Sequence, residues 1–213
     1  MGRPSSTLNS RSDRIMQQRL SDDENIDETL TTTIVGPSGF EKRRIVMLYG
    51  VVDEHTVANS IVQMLDLAHN SPAPITLFIS SHGGSVDELR SLYDVMKFLP
   101  VEVQTVGVGK ICSAATLLLA AGAKGKRLIS ASTRVMMHPV SIMGAGLEGN
   151  IFQVENQVDE MMRTHRMLTN MYVRETNASI DRIEEIMKLG HDYWMNAQQA
   201  VELGLADKII GSL

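Results

Sequence analysis

A serine, a histidine, an aspartate and a pair of glycines stand where this chain could most readily build chemistry. Ser113 lies in GKICSAATLLLA (109–120), where a strand-like run gives way to a small, wholly apolar helical segment. A hydroxyl there sits at a helix N-terminus, whose dipole and free N–H groups favour a developing negative charge. The chemistry that suits it is nucleophilic attack, and the plain alternative is an N-cap. The run lacks the G-x-S-x-G pattern, which counts against an α/β-hydrolase. His138 closes the apolar run RVMMH (134–138) and precedes Pro139, which biases it to an extended conformation at a strand end. There it can face a cleft as a base, or serve as a structural histidine. Asp192, in GHDYWMNAQQAVELGLAD (190–207), falls between two helical segments, a place equally suited to a cap or a turn.

The Gly83-Gly84 pair in SSHGGSV (80–86) follows an apolar strand and precedes a helix. Its backbone N–H groups can approach an oxyanion or a phosphate closely, while a tight turn is the alternative. The pair fits neither G-x-G-x-x-G nor G-x-x-x-x-G-K-[ST], so nucleotide binding gains little support. Cys112 reads as a small buried apolar residue, with a rival nucleophile as the minor alternative. His55, His69, His82, His165 and His191 show no paired metal-ligand spacing, and one cysteine cannot build a thiolate zinc site. No metal and no cofactor is therefore expected in this chain. Six histidines and many serines and aspartates will supply some Ser/His/Asp trio by chance, so these residues alone leave the roles open.

The elements that must position them alternate. Short apolar runs at 45–50, 75–80 and 101–109 read as buried strands, and 54–70 and 85–98 carry apolar residues at helical spacing. Residues 113–123 are small and apolar all round, which predicts a buried helix. RLIS (127–130) and RVMMH follow as strands. Repeated strand–helix units in this order indicate an α/β protein with a mainly parallel sheet. Residues 153–176 hold no breaker and space Val154, Val158, Met161, Leu168, Met171 and Tyr172 helically, which predicts a long helix packed on another subunit or on its own core. Residues 179–206 add two shorter helices, and DKII (207–210) an edge strand.

Composition bounds the rest. The 213 residues suit one domain, with 20 Lys+Arg against 25 Asp+Glu and a net charge of −5. That balance argues against nucleic-acid binding driven by bulk charge. A single Cys excludes an internal disulfide and suits a reducing compartment. No apolar run approaches a membrane span, and the N-terminus lacks a basic-then-apolar secretory pattern, so a cytoplasmic location and no membrane partner are expected. SDDENIDE (21–28) packs five carboxylates into eight residues, and residues 1–43 bury too little apolar surface to be ordered alone. They are expected to be a mobile, acidic segment preceding a domain at 44–213. Fourteen Met and few aromatics point to adaptable packing surfaces.

Taken together, four segments resemble the proteolytic subunit of the Clp protease family. SSHGGSVDELRSLYDVM (80–96) is similar to the family's N-S-P-G-G and following helix. GKICSAATLLLAAGAKGKR (109–127) resembles its nucleophile segment, with the specific ending A-G-A-K-G-K-R. STRVMMHP (132–139) resembles its histidine strand, and HDYWMNAQQAVELGLADKI (191–209) its aspartate segment. The chain departs at His82, where the family has Pro. It departs again at Ala114-Ala115-Thr116 after the nucleophile, at Pro139-Val140, and throughout residues 1–43.

The resemblance implies a ClpP/crotonase-like fold of repeated β-β-α units, with a handle helix projecting from about 147–176. It implies Ser113 as nucleophile, His138 as general base, Asp192 as its orienting carboxylate, and the N–H groups of Gly84 and Ala114 as oxyanion donors. It further implies heptameric rings of this chain stacked to a tetradecamer, cleaving unfolded polypeptides. An AAA+ unfoldase would use the ATP, since this chain shows no Walker motif. An inactive ring scaffold within a mixed barrel is the runner-up, and a crotonase-fold acyl-CoA hydratase or isomerase a more distant alternative.

Overall fold

The computed structural model describes residue 39 and residues 43–141 and 147–211. The acidic segment expected at 1–43 therefore lies, except for residues 39 and 43, outside the described residues. Seven strands form one sheet: β1 Ile45–Val52, β2 Ile75–Gly84, β3 Val103–Cys112, β4 Arg127–Ser130, β5 Arg134–Met137, β6 Tyr193–Met195 and β7 Lys208–Ile210. The main path runs β1-β2-β3-β4-β7, and every pairing is parallel except β5 with β6. Among residues 43–141 and 147–211 the helices are α1 Glu54–Asn70, α2 Val86–Phe98, α3 Ala114–Ala120, α4 Ile151–Glu175, α5 Ile180–Met187 and α6 Ala197–Leu203.

This is the expected α/β architecture with a mainly parallel sheet. Strand–helix alternation holds through α3, and β4–β5 supplies a strand–strand step before the long helix. Two local readings change. Strand β2 runs on through Gly83 and Gly84, which pair with Val51 and Val52, so the glycines extend the sheet where a turn was one reading. Strand β6, Tyr-Trp-Met, was not foreseen; three residues between helices carry too little periodicity to register.

Strand β3 changes partners midway, and that places the site. Its first half pairs with β4 through Thr105–Gly107, and its second half with β5 through Lys110–Cys112. The sheet splits there, and ligand sites in parallel sheets favour the carboxyl ends of strands that part. Helix α3 fills the space behind: all seven of its residues are buried, with Leu117, Leu118 and Leu119 inaccessible to solvent. Burying each Leu stabilises by roughly 1.5–3 kcal/mol relative to exposure, so α3 needs no polar face. The long helix α4 behaves differently along its length. Leu168, Met171 and Tyr172 near its C-terminus are buried, while Ile151 and Phe152 at its start are 76% and 72% exposed.

A buried guanidinium ties these pieces together. Arg127, 2% exposed, ends the A-G-A-K-G-K-R run and opens β4. Its Nη1 donates to the carbonyls of Ala120 (3.3 Å), Glu175 (2.6 Å) and Gly204 (2.7 Å), the last residues of α3 and α4 and the residue closing α6. Nε and Nη2 donate to Asp207 at 2.9 and 2.5 Å, a two-pronged ion pair. Helix C-terminal carbonyls have no partner within the helix, and the two Nη1 hydrogens, one of them shared, reach one such carbonyl at each of three helix ends. The Glu175 side chain, 3% exposed, meets the Tyr93 hydroxyl and Lys97 from α2, with Lys97 Nζ at 3.0 Å.

Removing Arg127 strands these acceptors in the interior. Arg127→Met should lower unfolding stability by about 3–5 kcal/mol in chemical denaturation. Burial raises the Asp207 carboxyl, but side-chain and backbone hydrogen bonds from Arg127 outweigh it and hold it below its ordinary value. A depressed carboxylate stabilises the fold above its unfolded pKa, near 3.9, and that contribution fades as pH falls through the folded value. The stability gap between the natural chain and Asp207→Asn should therefore close below about pH 4.

Candidate active site

Strand β3 hands over to α3 at Ser113, which takes φ 53° and ψ −126°. Among the described residues only Arg44 shares a positive φ without being glycine. Such backbone costs about 1–3 kcal/mol and persists only where its surroundings enforce it. The enforcement here comes from three sides. The Ser113 N–H donates to the Met136 carbonyl on β5 at 2.7 Å. Its carbonyl accepts from the Thr116 N–H at 2.9 Å and from Thr116 Oγ1 at 2.7 Å. Below it lies Gly83, where an added Cβ would sit 2.6 Å from Ser113 Cβ and 2.8 Å from the Cys112 carbonyl.

The Ser113 hydroxyl is held by none of these bonds. It occupies the N-cap position of α3 yet makes no capping bond. The other five described helices all have a side-chain cap, from Asp53, Ser85, Asn150, Ser179 and Asn196. The bland reading of Ser113 as a cap thus fails, because the positive φ turns its side chain away from the helix N–H groups. What remains is a half-buried hydroxyl on a cavity wall, with no hydrogen-bond partner among the described residues.

That cavity, about 550 Å³, is also lined by His82, Gly84, Ala114 and His138. His138 follows β5, and its Nδ1 lies 2.6 Å from the Pro139 carbonyl oxygen. A carbonyl only accepts, so Nδ1 carries a proton, and in the neutral ring Nε2 is then the nitrogen with the lone pair. Gly84 is exposed, and an added Cβ there would meet the Val52 carbonyl at 2.2 Å, so a bare backbone is required beside the cavity. Ala114 is the first residue of α3, and its N–H has no acceptor within the helix.

Asp192 stands nearby but apart. The antiparallel β5–β6 register pairs Met137 with Tyr193, so its next step sets His138 opposite Asp192. Asp192 is exposed and does not line the cavity. Among the described residues no hydrogen bond joins Ser113 Oγ to His138, or His138 to Asp192. The topology brings the three to one corner; the side chains are not connected.

Cys112 is 2% exposed, and burial pushes its thiol up, with Lys110 pulling it back and Asp192 adding to the rise. A protonated buried thiol is a poor nucleophile, which removes the rival. The apolar cavity floor, Leu89, Leu168, Tyr172 and Met187, was not anticipated as part of a site. Leu168 and Tyr172 sit four apart on α4, a spacing that reads equally as core. Among the described residues, no group of three or more His, Cys, Asp or Glu could hold a metal. No helix there is long and apolar enough to cross a membrane.

The family model for Clp protease matches residues 31–212. Over 173 residues the chain is 38% identical to the ATP-dependent Clp protease proteolytic subunit of Bdellovibrio bacteriovorus, covering 80% of this chain and 80% of that one. The chain belongs to the Clp protease family. Membership supports a protease role, and the Clp resemblance seen in the four sequence segments is borne out. In this Clp family chain Gly83 is what allows the serine to approach the sheet, while Gly84 lies against the Val52 backbone.

Gly83→Ala forces a Cβ into Ser113 at a backbone φ of 89° that side chains rarely adopt. The substitution should lower unfolding stability by about 1–3 kcal/mol in denaturant titration. Ala substitution at Gly125, which has a positive φ but open space around it, should cost less.

Proposed function

We propose that this chain is a serine endopeptidase that works inside an oligomeric chamber. The observation that carries the reading is the strained, uncapped Ser113 hydroxyl sharing a cavity with a histidine whose Nε2 has no hydrogen-bond partner among the described residues. Ser113 attacks a peptide carbonyl while His138 takes its proton and then delivers it to the leaving amine. The Gly84 and Ala114 N–H groups receive the developing oxyanion. Asp192 takes over the His138 Nδ1–H from the Pro139 carbonyl, a side-chain rearrangement that keeps the same tautomer. The apolar floor of Leu89, Leu168 and Met187 suits an apolar substrate side chain next to the scissile bond.

The exposed apolar start of α4, with Ile151, Phe152, Val158 and Met162, supports its role as a handle between two rings. Heptameric rings of this chain stack to a tetradecamer, and unfolded polypeptides enter from an AAA+ unfoldase that hydrolyses the ATP, in the cytoplasm. A second reading, a ring subunit that serves as scaffold, is favoured by one observation: His138 is bonded to Pro139 and not to Asp192.

Fluorophosphonate labelling read by intact mass, beside native mass spectrometry, separates the two. The natural chain should label once and run as a tetradecamer. Ser113→Ala should not label, and His138→Ala should label at least about 1,000-fold more slowly. Persistent labelling of Ser113→Ala would overturn the nucleophile. A barrel that never labels would establish the scaffold reading, and a monomer would overturn the chamber.

A further inference from the structure

The Ser113 carbonyl is the most heavily bonded group in the site, and its bonds lead to a residue the proposed catalytic chemistry does not use. Thr116 Oγ1 lies 2.7 Å from that carbonyl oxygen and 2.7 Å from the Tyr172 hydroxyl. A carbonyl has no proton to give, so Thr116 spends its only one there. The proton between Thr116 and Tyr172 must then come from the tyrosine. The result is a directed relay, Tyr172 O–H to Thr116 O–H to the Ser113 carbonyl. The tyrosine hydroxyl also stands 3.5 Å from that carbonyl itself.

We infer that Tyr172 and Thr116 are positioning residues that lock the Ser113–Ala114 peptide unit so that its N–H faces the cavity to meet the oxyanion. The inference rests on the serine-peptidase reading above and assigns that site a further part. The Ser113 carbonyl and the Ala114 N–H are opposite ends of one planar peptide. A flip of that plane would turn the carbonyl into the cavity and the N–H away from it. Two bonds from Thr116 oppose the flip, and the tyrosine fixes the threonine rotamer that makes one of them. Hydrogen bonding at the carbonyl also polarises the amide and makes its N–H a stronger donor.

The relay is sealed from competing water. Thr116 is fully buried and Tyr172 is 4% exposed. Burial pushes the tyrosine hydroxyl up to about 12, so it stays a donor at neutral pH. The tyrosine arrives on α4, whose last carbonyl, Glu175, is gripped by Arg127 and Lys124. The seating of the long helix therefore reaches the oxyanion peptide through one side chain three residues from its end.

The test uses the full-length assembled protein, a fluorogenic peptide, and a peptide boronate whose adduct carries the oxyanion. Its partner probe is the matching uncharged peptide amide, which binds without forming an adduct. Tyr172→Phe keeps the ring on the cavity floor and Thr116→Val keeps the shape; each should lower kcat roughly 10-fold with KM unchanged. Each should weaken the boronate by a similar factor and leave the amide alone. The double variant should lose little more than either single one, and Thr116→Ser should recover most of the loss. Unchanged kcat and boronate affinity in both variants overturn the relay. Equal weakening of boronate and amide also overturns it, as damage to the cavity. A natural chain that neither cleaves the peptide nor binds the boronate overturns the peptidase reading, and this inference with it.

Discussion

One buried charge organises this fold. Arg127 sits where three helix ends converge, and its guanidinium supplies the donors those ends lack. An isolated interior charge would cost several kcal/mol, so the arrangement holds only because Asp207 and three carbonyls surround it together. The consequence reaches the site. By fixing the last turn of α4, Arg127 sets where Leu168 and Tyr172 stand on the cavity floor. By bonding the end of α3, it holds the helix that follows Ser113.

The site's own geometry follows from crowding. Ser113 adopts a backbone conformation that most residues avoid, and three neighbours compel it: the Met136 carbonyl, Thr116 and the bare face of Gly83. The hydroxyl that would otherwise cap α3 is thereby turned toward the cavity. Strain, glycine packing and an uncapped helix are thus one feature seen from three sides. The neighbouring histidine is poised differently, since its Nδ1 proton rests on the Pro139 carbonyl. That contact puts a proton on Nδ1, and Asp192 stays exposed.

The long helix divides between two environments. Its C-terminal third is built into the protein by Leu168, Met171, Tyr172 and Glu175, while its first turn carries Ile151 and Phe152 into solvent. Apolar periodicity predicted a helix over 153–176 where one runs Ile151–Glu175, because the 3.6-residue repeat is the same on either kind of surface. It could not say which half would find its partner within the chain.

Much of the fold was readable because it depends on local pattern. Apolar runs bounded by glycine and proline mark β1 to β3, and the uniformly small, apolar 113–123 marks a buried helix, since such signals need no knowledge of the rest of the chain. Ser113 and His138 were also visible as candidates, each at a strand's end, and the chain does bring them to one cavity. Sequence could not show that Ser113 would be left uncapped, because a positive φ is imposed by packing against Gly83 and not by the serine. Nor could it show that Thr116 and Tyr172, 56 positions apart, would share a proton. Nothing local in the run A-G-A-K-G-K-R marks Arg127 as buried, and only the convergence of α3, α4 and α6 put its guanidinium in the interior. Residue types and their periodicity determined which elements form; the contacts between distant elements decided which side chains were left free to react.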